Sequence, residues 1–315
     1  MRRSFLFGVL VLSLATPGAF GLSPRVFVAS NGIDMGGCTR TAPCRGFAYA
    51  MTQVSASGEV VALDTAGYGP FSISQTVSVY AAPGATAAVT TPSNGTGITI
   101  TAGASDGILL RNLWINGGGT ASNGIDLQSG GYLRIQDSEI TGFQGGNGNG
   151  INLIRSADGD VVWIAVDHCS FDNDGAGVWI ESDGTGAIAH VTIRNSTFFN
   201  NSTGVYALDG ARVSITDSTM SAGINGFVVQ PNNWNSAVNA ERCTVAGNLV
   251  GVVAGGGGAP SFARLAFCII SDNNNGFVLG TNGVIEGRTD GTNNATNTVV
   301  DNAANNTMPN TYPAQ

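Results

Sequence analysis

Several side chains able to contact a sugar recur at one position of a repeated phrase. The phrase is a glycine, an apolar residue, a variable residue and a second apolar residue, and its variable residue is in turn Asp126, Asn152, Trp179 and Tyr206. Because strand side chains alternate, we expect this position to point outward, together with Glu181 two residues beyond Trp179. Aromatic rings on neighbouring repeats can stack on sugar rings, and the polar groups beside them can bond hydroxyls. The alternative is that a neighbouring loop covers the rings, or that they lie on the sheet surface without binding anything.

A second group of candidates is acidic. Asp167, Asp172 and Asp174 lie just after one apolar–polar alternation, and Arg194 falls one repeat after Asp167. Acids on turns can supply oxygen ligands to calcium, and an arginine beside such a site could abstract a proton. The plainer interpretation is that the aspartates form local turn hydrogen bonds and that Arg194 pairs with Asp167 on the surface. Both interpretations stay open.

The sequence holds two histidines, His168 and His190. His190 begins a predicted strand and could act as an acid or base near Glu181 or Asp183. His168 shares a column with residues typical of turns and is interpreted as an ordinary turn residue. The catalytic candidates are therefore Asp172, Asp174, Arg194 and His190.

The elements that must position these residues repeat along the chain. The glycine of the phrase recurs at Gly97, Gly124, Gly150, Gly177, Gly204, Gly226, Gly251 and Gly276. These repeat glycines are 22 to 27 residues apart. A period in this range is typical of a solenoid, and the short alternations between Gly, Asn, Asp and Ser have strand spacing. We predict a parallel β-helix with one coil per repeat.

A second phrase, such as Ile-Arg-Asn-Ser-Thr-Phe at 193–198, predicts a column of mostly small residues inside the stack. Its members are Leu113, Ser138, Cys169, Ser196, Ser218, Cys243 and Cys268. Small residues suit a bend where coils stack about 4.8 Å apart. Asn173 and Asn200 also align, and they could begin an internal asparagine ladder.

With these repeats, the chain resembles the right-handed parallel β-helix superfamily, which has the pectate-lyase-like fold, and the secreted bacterial β-helix-repeat proteins within it. The opening Arg-Val-Phe-Val-Ala-Ser-Asn-Gly at 25–32 and the cysteine-bearing segment 38–47 are similar to the N-terminal segment of that group. The resemblance covers nearly the whole mature chain. It implies an all-β, single-stranded right-handed parallel β-helix.

The enzymes of that superfamily provide motifs to compare. Pectate lyases use calcium-binding acids and an arginine that abstracts a proton. The Asn-Thr-Asp, Asp-Asp, Gly-His-Gly and Arg-Ile-Lys phrases of polygalacturonases are absent from this sequence, and no pectin methylesterase motif is evident. The resemblance therefore implies the architecture but assigns no reaction.

The chain divides into four predicted parts. Residues 1–21 have the basic start, apolar stretch and small-residue end of a secretory signal. Residues 22–58 form an N-terminal lead-in segment and cap, with a capping helix at 43–54 whose apolar residues follow helical spacing. Residues 59–290 form the β-helix, and 291–315 form a C-terminal tail. We predict a secreted or periplasmic protein with no membrane span in the mature chain. A retained N-terminal anchor is the alternative.

The charge balance excludes some partners. All 13 Lys/Arg positions are arginine, against 21 acidic residues. Removing Arg2 and Arg3 with the signal leaves 11 against 21, or −10. This argues against nucleic acid and anionic membrane, although a local arginine cluster could still bind an acidic polysaccharide.

The five cysteines fall into two groups. Given export, Cys38 and Cys44 are predicted to form a disulfide. Cys169, Cys243 and Cys268 lie in the stacked column and are predicted to be buried thiols, although Cys243 and Cys268 could bridge if their side chains turn toward each other.

Three functions follow from these observations. The first is an exported β-helix protein that interacts with carbohydrate, with or without catalysis, through Asp126, Asn152, Trp179, Glu181 and Tyr206. The second is a polysaccharide lyase or glycoside hydrolase. The third is a structural or adhesion solenoid. We expect a polysaccharide or glycan surface as partner, no nucleic acid, and no cofactor, with calcium at Asp167, Asp172 and Asp174 as the alternative.

Overall fold

The computed structural model describes residues 21–146, 148–289, 297–304 and 309–313. The predicted signal, apart from Gly21, and about half of the predicted tail lie outside these residues. Within them the chain forms three parallel sheets, and each full coil contributes one strand to each sheet in turn. The predicted all-β parallel solenoid is confirmed.

The first sheet has 12 strands. They are Ser23–Val28, Val54–Ala62, Val77–Ala81, Gly107–Arg111, Tyr132–Gln136, Val161–Asp167, Ile188–Arg194, Ala211–Thr216, Ser236–Glu241, Ser261–Ala266, Gly283–Thr289 and Asn310–Pro313. The second sheet has ten. They are Ala66–Gly67, Ala87–Thr90, Leu113–Asn116, Glu139–Thr141, Ser170–Asp172, Thr197–Phe199, Thr219–Ser221, Thr244–Ala246, Ile269–Ser271 and Thr298–Val300.

The third sheet has nine strands. They are Phe71–Ile73, Thr96–Thr101, Asn123–Ser129, Asn149–Arg155, Ala176–Ser182, Thr203–Ala207, Asn225–Val229, Val250–Ala254 and Asn275–Leu279. Alternate residues of the three sheets face one continuous apolar core between them. The opposite residues face outward, so each sheet presents its own outer surface.

A short helix at Phe47–Met51 precedes the regular coils. It lies inside the predicted 43–54 range but is shorter, because Val54 begins a strand instead of a further helical turn. Phe47 is buried, and its ring centroid lies 5.1 Å from that of Tyr68 and 4.9 Å from that of Phe71. The helix is thus packed on the core, while its role as a cap stays a prediction. Among the described residues, no helix has the length and apolar character needed to cross a membrane.

The repeat glycines mark the closest approach of neighbouring coils. A Cβ placed on Gly177 would lie 2.7 Å from the carbonyl oxygen of Gly204 and 2.5 Å from Cδ1 of Phe198. A Cβ would meet the carbonyl oxygen of the next repeat glycine in the same way at Gly97, Gly124, Gly150, Gly204, Gly226 and Gly251. A side chain at this position would therefore force the coils apart.

A one-residue bend in the left-handed region joins the first sheet to the second. The residues at this bend have φ between 49° and 56°, and they are Asn112, Asp137, His168, Asn195, Asp217, Arg242 and Phe267. Asn and Asp tolerate this conformation better than other residues with a side chain. His168 therefore occupies the turn position that the sequence indicated.

The inner column of small residues forms a hydrogen-bonded ladder. Ser138 Oγ accepts the backbone N–H of Leu113 in the preceding coil at 3.1 Å and donates to the carbonyl of Gln136 at 2.7 Å. Ser196 and Ser218 repeat both contacts. Small size was predicted here from space alone, but the hydroxyls also satisfy buried backbone groups.

The predicted asparagine ladder is one residue out of place. Asn173 and Asn200 have φ of 58° and 54° and bond to each other at 3.2 Å outside the core. A left-handed residue redirects the chain, so the following side chain faces inward. The internal ladder therefore consists of Asp174, Asn201, Asn248, Asn273 and Asn302.

The cysteines occupy two environments. Cys38 and Cys44 form a disulfide with their Cα atoms 4.8 Å apart. Cys169, Cys243 and Cys268 are buried free thiols in the inner column. Cys268 Sγ faces the carbonyl oxygens of Ala240 and Ala266, each 3.4 Å away. Cys243 Sγ likewise faces the carbonyl oxygens of Ile215 and Glu241. Cys243 and Cys268 are therefore not bridged.

Candidate functional site

Two aromatic rings form a step on the outer face of the third sheet. Trp179 and Tyr206 are paired in register on adjacent coils. Their ring centroids lie 4.5 Å apart with planes 27° from parallel, and both side chains are half-buried. Tyr206 Oη donates to Gln230 Oε1 at 2.8 Å, which fixes the second ring. Burial raises the pKa of Tyr206, so the phenol stays protonated.

A row of polar side chains continues the same face toward the N-terminal coils. Asn149 Nδ2 donates to Asn152 Oδ1, and Asn152 Nδ2 donates to Asp126 Oδ1, both at 2.8 Å. Gln128 Nε2 donates to the other oxygen of Asp126 at 2.8 Å. Asn149 is fully buried, and its Oδ1 has no partner among the described residues. The row is therefore held rigid by its own hydrogen bonds.

A groove of about 680 Å³ lies beside the aromatic step. It is lined by Gln144, Gly146, Asn149, Gly175, Ala176, Trp179, Ser202, Thr203 and Tyr206. Sequence reasoning did not identify Gln144, Ser202 or Thr203, although Thr203 begins the same repeated phrase as Tyr206. The groove is concave and carries amide, hydroxyl and aromatic groups, which suits a ligand with both hydroxyls and flat apolar faces.

The carboxyl of Glu181 lies next to the step. Trp179 Nε1 donates to Glu181 Oε2 at 3.4 Å. Burial raises the pKa of Glu181, and the charges of Asp183 and Asp209 raise it further. Trp234, in the loop after the strand Asn225–Val229 two coils further on, donates its indole N–H to the carbonyl of Asp183 at 2.8 Å. Glu181 thus holds a proton to higher pH than an ordinary glutamate, as a general acid must.

Asp167 and Arg194 lie side by side at the end of the first sheet. The structure nevertheless gives no ion pair between these two described side chains. Asp167 Oδ1 instead accepts from Asn195 Nδ2 at 3.0 Å and lies 3.1 Å from His168 Nδ1. Arg194 is exposed.

The remaining acidic candidates point in different directions. Asp172 lies on the outer face of the second sheet, where burial and the charge of Glu139 raise its pKa. Asp174 is 1% exposed and faces the core. Within the described ranges, no three His, Cys, Asp or Glu side chains are grouped to hold a metal. The fold therefore does not bring Asp167, Asp172 and Asp174 together, and the calcium hypothesis gains no support from their placement.

His190 lies on the first sheet, whereas Glu181 lies on the third. Its ring stacks on Trp163 with centroids 4.0 Å apart and planes 10° from parallel. Burial lowers the pKa of His190, and the charge of Arg212 lowers it further. The structure thus places His190 on a different sheet from Glu181.

Comparison with known proteins agrees with this architecture. A family model described as a right handed beta helix region matches residues 73–220 and 123–302. The crystal structure of pectate lyase Pel9A is similar over 81% of this chain and 71% of that chain, with a TM-score of 0.53 and 13% identity. None of the curated proteins matches.

The structural likeness at this identity concerns the fold, whereas the family match spans most of the chain. Its two segments together run from Ile73 to Asn302 and include every strand of the candidate site. The chain therefore belongs to the right-handed β-helix family.

Proposed function

We propose that this is an exported protein that binds a polysaccharide along the outer face of the third sheet. The stacked, half-buried pair of Trp179 and Tyr206 carries the proposal, since two aromatic rings fixed against each other form one rigid apolar surface on which a sugar ring can pack. The hydrogen-bonded row ending at Asp126 can bond sugar hydroxyls. The likeness to a pectate lyase is consistent with a carbohydrate ligand.

The charge of this face favours a neutral polymer. Glu181 lies beside the step, Asp126 lies on the same face two coils before Trp179, and no basic side chain lines the described groove. A polyanion would therefore be repelled here. We place the protein outside the cytoplasm, in the periplasm or the medium, where such polymers occur.

Affinity electrophoresis through gels containing neutral polysaccharides tests the proposal. Trp179→Ala should weaken binding roughly two- to tenfold, since one stacked ring contributes about 0.5–1.5 kcal/mol. Trp114→Ala is the matched control, because this tryptophan lies on the second sheet and is 37% exposed. Equal retardation of the wild type and Trp179→Ala by every retarding polymer would exclude the third-sheet face as the site.

A glycoside hydrolase is the second candidate, and the raised pKa of Glu181 beside the step favours it. Release of reducing ends from a bound polymer, lost in Glu181→Gln with binding retained, would establish hydrolysis. A lyase would instead release products with unsaturated ends that absorb ultraviolet light. A structural or adhesion solenoid remains the third candidate and would be favoured if no glycan binds.

A further inference from the structure

The three most exposed large apolar side chains among the described residues all lie at the N-terminal end of the β-helix. Met35 is 71% exposed, Ile33 67% and Leu22 60%, whereas the next two reach 54%. Leu22 precedes the first strand, and Ile33 and Met35 lie in the end loop, residues 29–46, between that strand and the helix at Phe47–Met51. The core of the coils does not use these side chains, so they are available to an external apolar partner.

Hydrogen bonds hold the end loop with its apolar side chains outward. Asp34 Oδ1 accepts the backbone N–H groups of Arg45 and Gly46 at 2.7 and 2.9 Å. The N–H of Ile33 donates to the carbonyl of Pro43 at 3.0 Å, and the disulfide described above closes the same loop. The one acidic side chain of the end loop therefore faces its own backbone, while the residues on either side of it face solvent.

This end of the molecule is basic, although the chain as a whole is acidic. Residues 22–53 contain three arginines and one aspartate, whereas residues 54–315 contain eight arginines and 20 acidic residues. Arg25 pairs with a carboxylate of the next strand, but neither Arg40 nor Arg45 forms an ion pair with a described side chain. Arg40 is exposed between the two disulfide cysteines, with its guanidinium carbon 5.8 Å from the centroid of the Phe27 ring. The acidic charge that argues against an anionic membrane thus belongs to the later coils.

We propose that this end binds the surface of a lipid bilayer that contains anionic lipids, with Ile33 and Met35 inserted between the head groups and Arg40 beside a lipid phosphate. A peripheral membrane contact combines apolar insertion with attraction between basic residues and anionic head groups. The apolar stretch of the predicted signal immediately precedes this end in the sequence, so export brings the end loop to a membrane. The contact lies at the end of the stack, away from the third-sheet face, and does not depend on the polysaccharide proposal.

Sedimentation with lipid vesicles tests the proposal. The chain from Leu22 onward contains every described strand and helix and lacks the apolar stretch, so any binding comes from the folded protein. It should bind vesicles of phosphatidylcholine with phosphatidylglycerol about fivefold more tightly than vesicles of phosphatidylcholine alone, since one basic residue near an anionic surface contributes about 1 kcal/mol. Added salt should reduce this difference, because it screens the exposed arginines.

Variants of the end loop identify the contact. Ile33→Ser with Met35→Ser should weaken vesicle binding roughly tenfold or more by removing two inserted apolar side chains, and Arg40→Ala should weaken it about fivefold. Ile224→Ser with Leu249→Ser is the matched control, because these side chains on neighbouring coils are 50% and 49% exposed and lie far along the stack. The control should bind vesicles like the wild type.

All of these side chains are exposed, so the variants should keep the wild-type circular dichroism spectrum. Equal binding to both kinds of vesicle, wild-type binding in Ile33→Ser with Met35→Ser, or no vesicle binding would overturn the proposal. A dimer in light scattering that this double variant abolishes, without vesicle binding, would assign the end loop to a second copy of the chain and would likewise overturn it.

Discussion

Replacing Asp174 by asparagine should stabilise the protein at alkaline pH and have little effect in acid. Asp174 occupies a ladder position held by asparagine in four later coils. Its Oδ1 accepts the N–H of Phe143 at 2.8 Å, whereas its Oδ2 is buried without a partner among the described residues. At the equivalent place, Asn201 Nδ2 donates to the carbonyl of Phe171 at 2.9 Å. A protonated Oδ2 would donate in the same way, to the carbonyl of Ile140, which pairs with Phe171.

The pH dependence follows from burial. Burial raises the pKa of Asp174 from 3.8 to about 8, with the charge of Asp172 acting in the same direction. The folded state therefore binds this proton more tightly than the unfolded state. The stabilisation is fully present below pH 3.8 and is lost as the pH rises through about 8, by at most about 6 kcal/mol.

Urea unfolding followed by circular dichroism at several pH values between 4 and 9 measures this effect. The difference in unfolding free energy between Asp174→Asn and the wild type should grow as the pH rises above about 4 and level off only above pH 8. Asp137→Asn is the matched control, because it removes an aspartate carboxylate from an exposed bend instead of from the core. A constant difference for Asp174→Asn would refute the reasoning, because Asp174 would then not bind its proton more tightly in the folded state.

Two further predictions concern the coil contacts. Gly177→Ala should destabilise the protein by about 1–3 kcal/mol through overpacking. Gly67→Ala is the control and should not, because a Cβ there meets nothing within 4 Å; the urea-unfolding midpoints of the two variants measure the difference in stability. Ser218→Ala removes the acceptor of the buried Ser196 N–H and should lower the free energy of unfolding by about 1–3 kcal/mol. Ser218→Cys should partly restore this stability, and unchanged stability in the alanine variant would contradict the role of the ladder.

The repeat glycines made the solenoid predictable, because their period reflects a physical constraint that every coil shares. Alternation from those glycines also placed Trp179 and Tyr206 on one outer face. It could not reveal that His190 stacks on Trp163, because the repeated phrase of the first sheet, as at 193–198, covers only the ends of its strands.

The acidic candidates show where linear spacing fails. Asp172 and Asp174 are two residues apart, which in a strand would place them on one face. The left-handed bend at Asn173 lies between them and directs one outward and the other into the core. Such a bend can be recognised from the sequence only by aligning the coils and finding a column of asparagine and aspartate. Here the bend position and the inward-facing position after it both contain these residues, so the sequence does not show which of the two is the bend.

The internal ladders have a direction. Ser138 satisfies a backbone group of the coil before it, and Asn248, Asn273 and Asn302 do the same further along. At these ladder positions the buried backbone N–H groups of one coil are thus satisfied by side chains of the coil that follows. The ribosome synthesises the coils in that same order, so a new coil has buried backbone N–H groups without acceptors until the next coil is made. Shortening the chain from its C-terminus should consequently destabilise the remaining coils more than an equal loss from the N-terminus. A C-terminal deletion leaves buried ladder N–H groups without acceptors, whereas an N-terminal deletion removes only the backbone groups that the ladder side chains would have bonded.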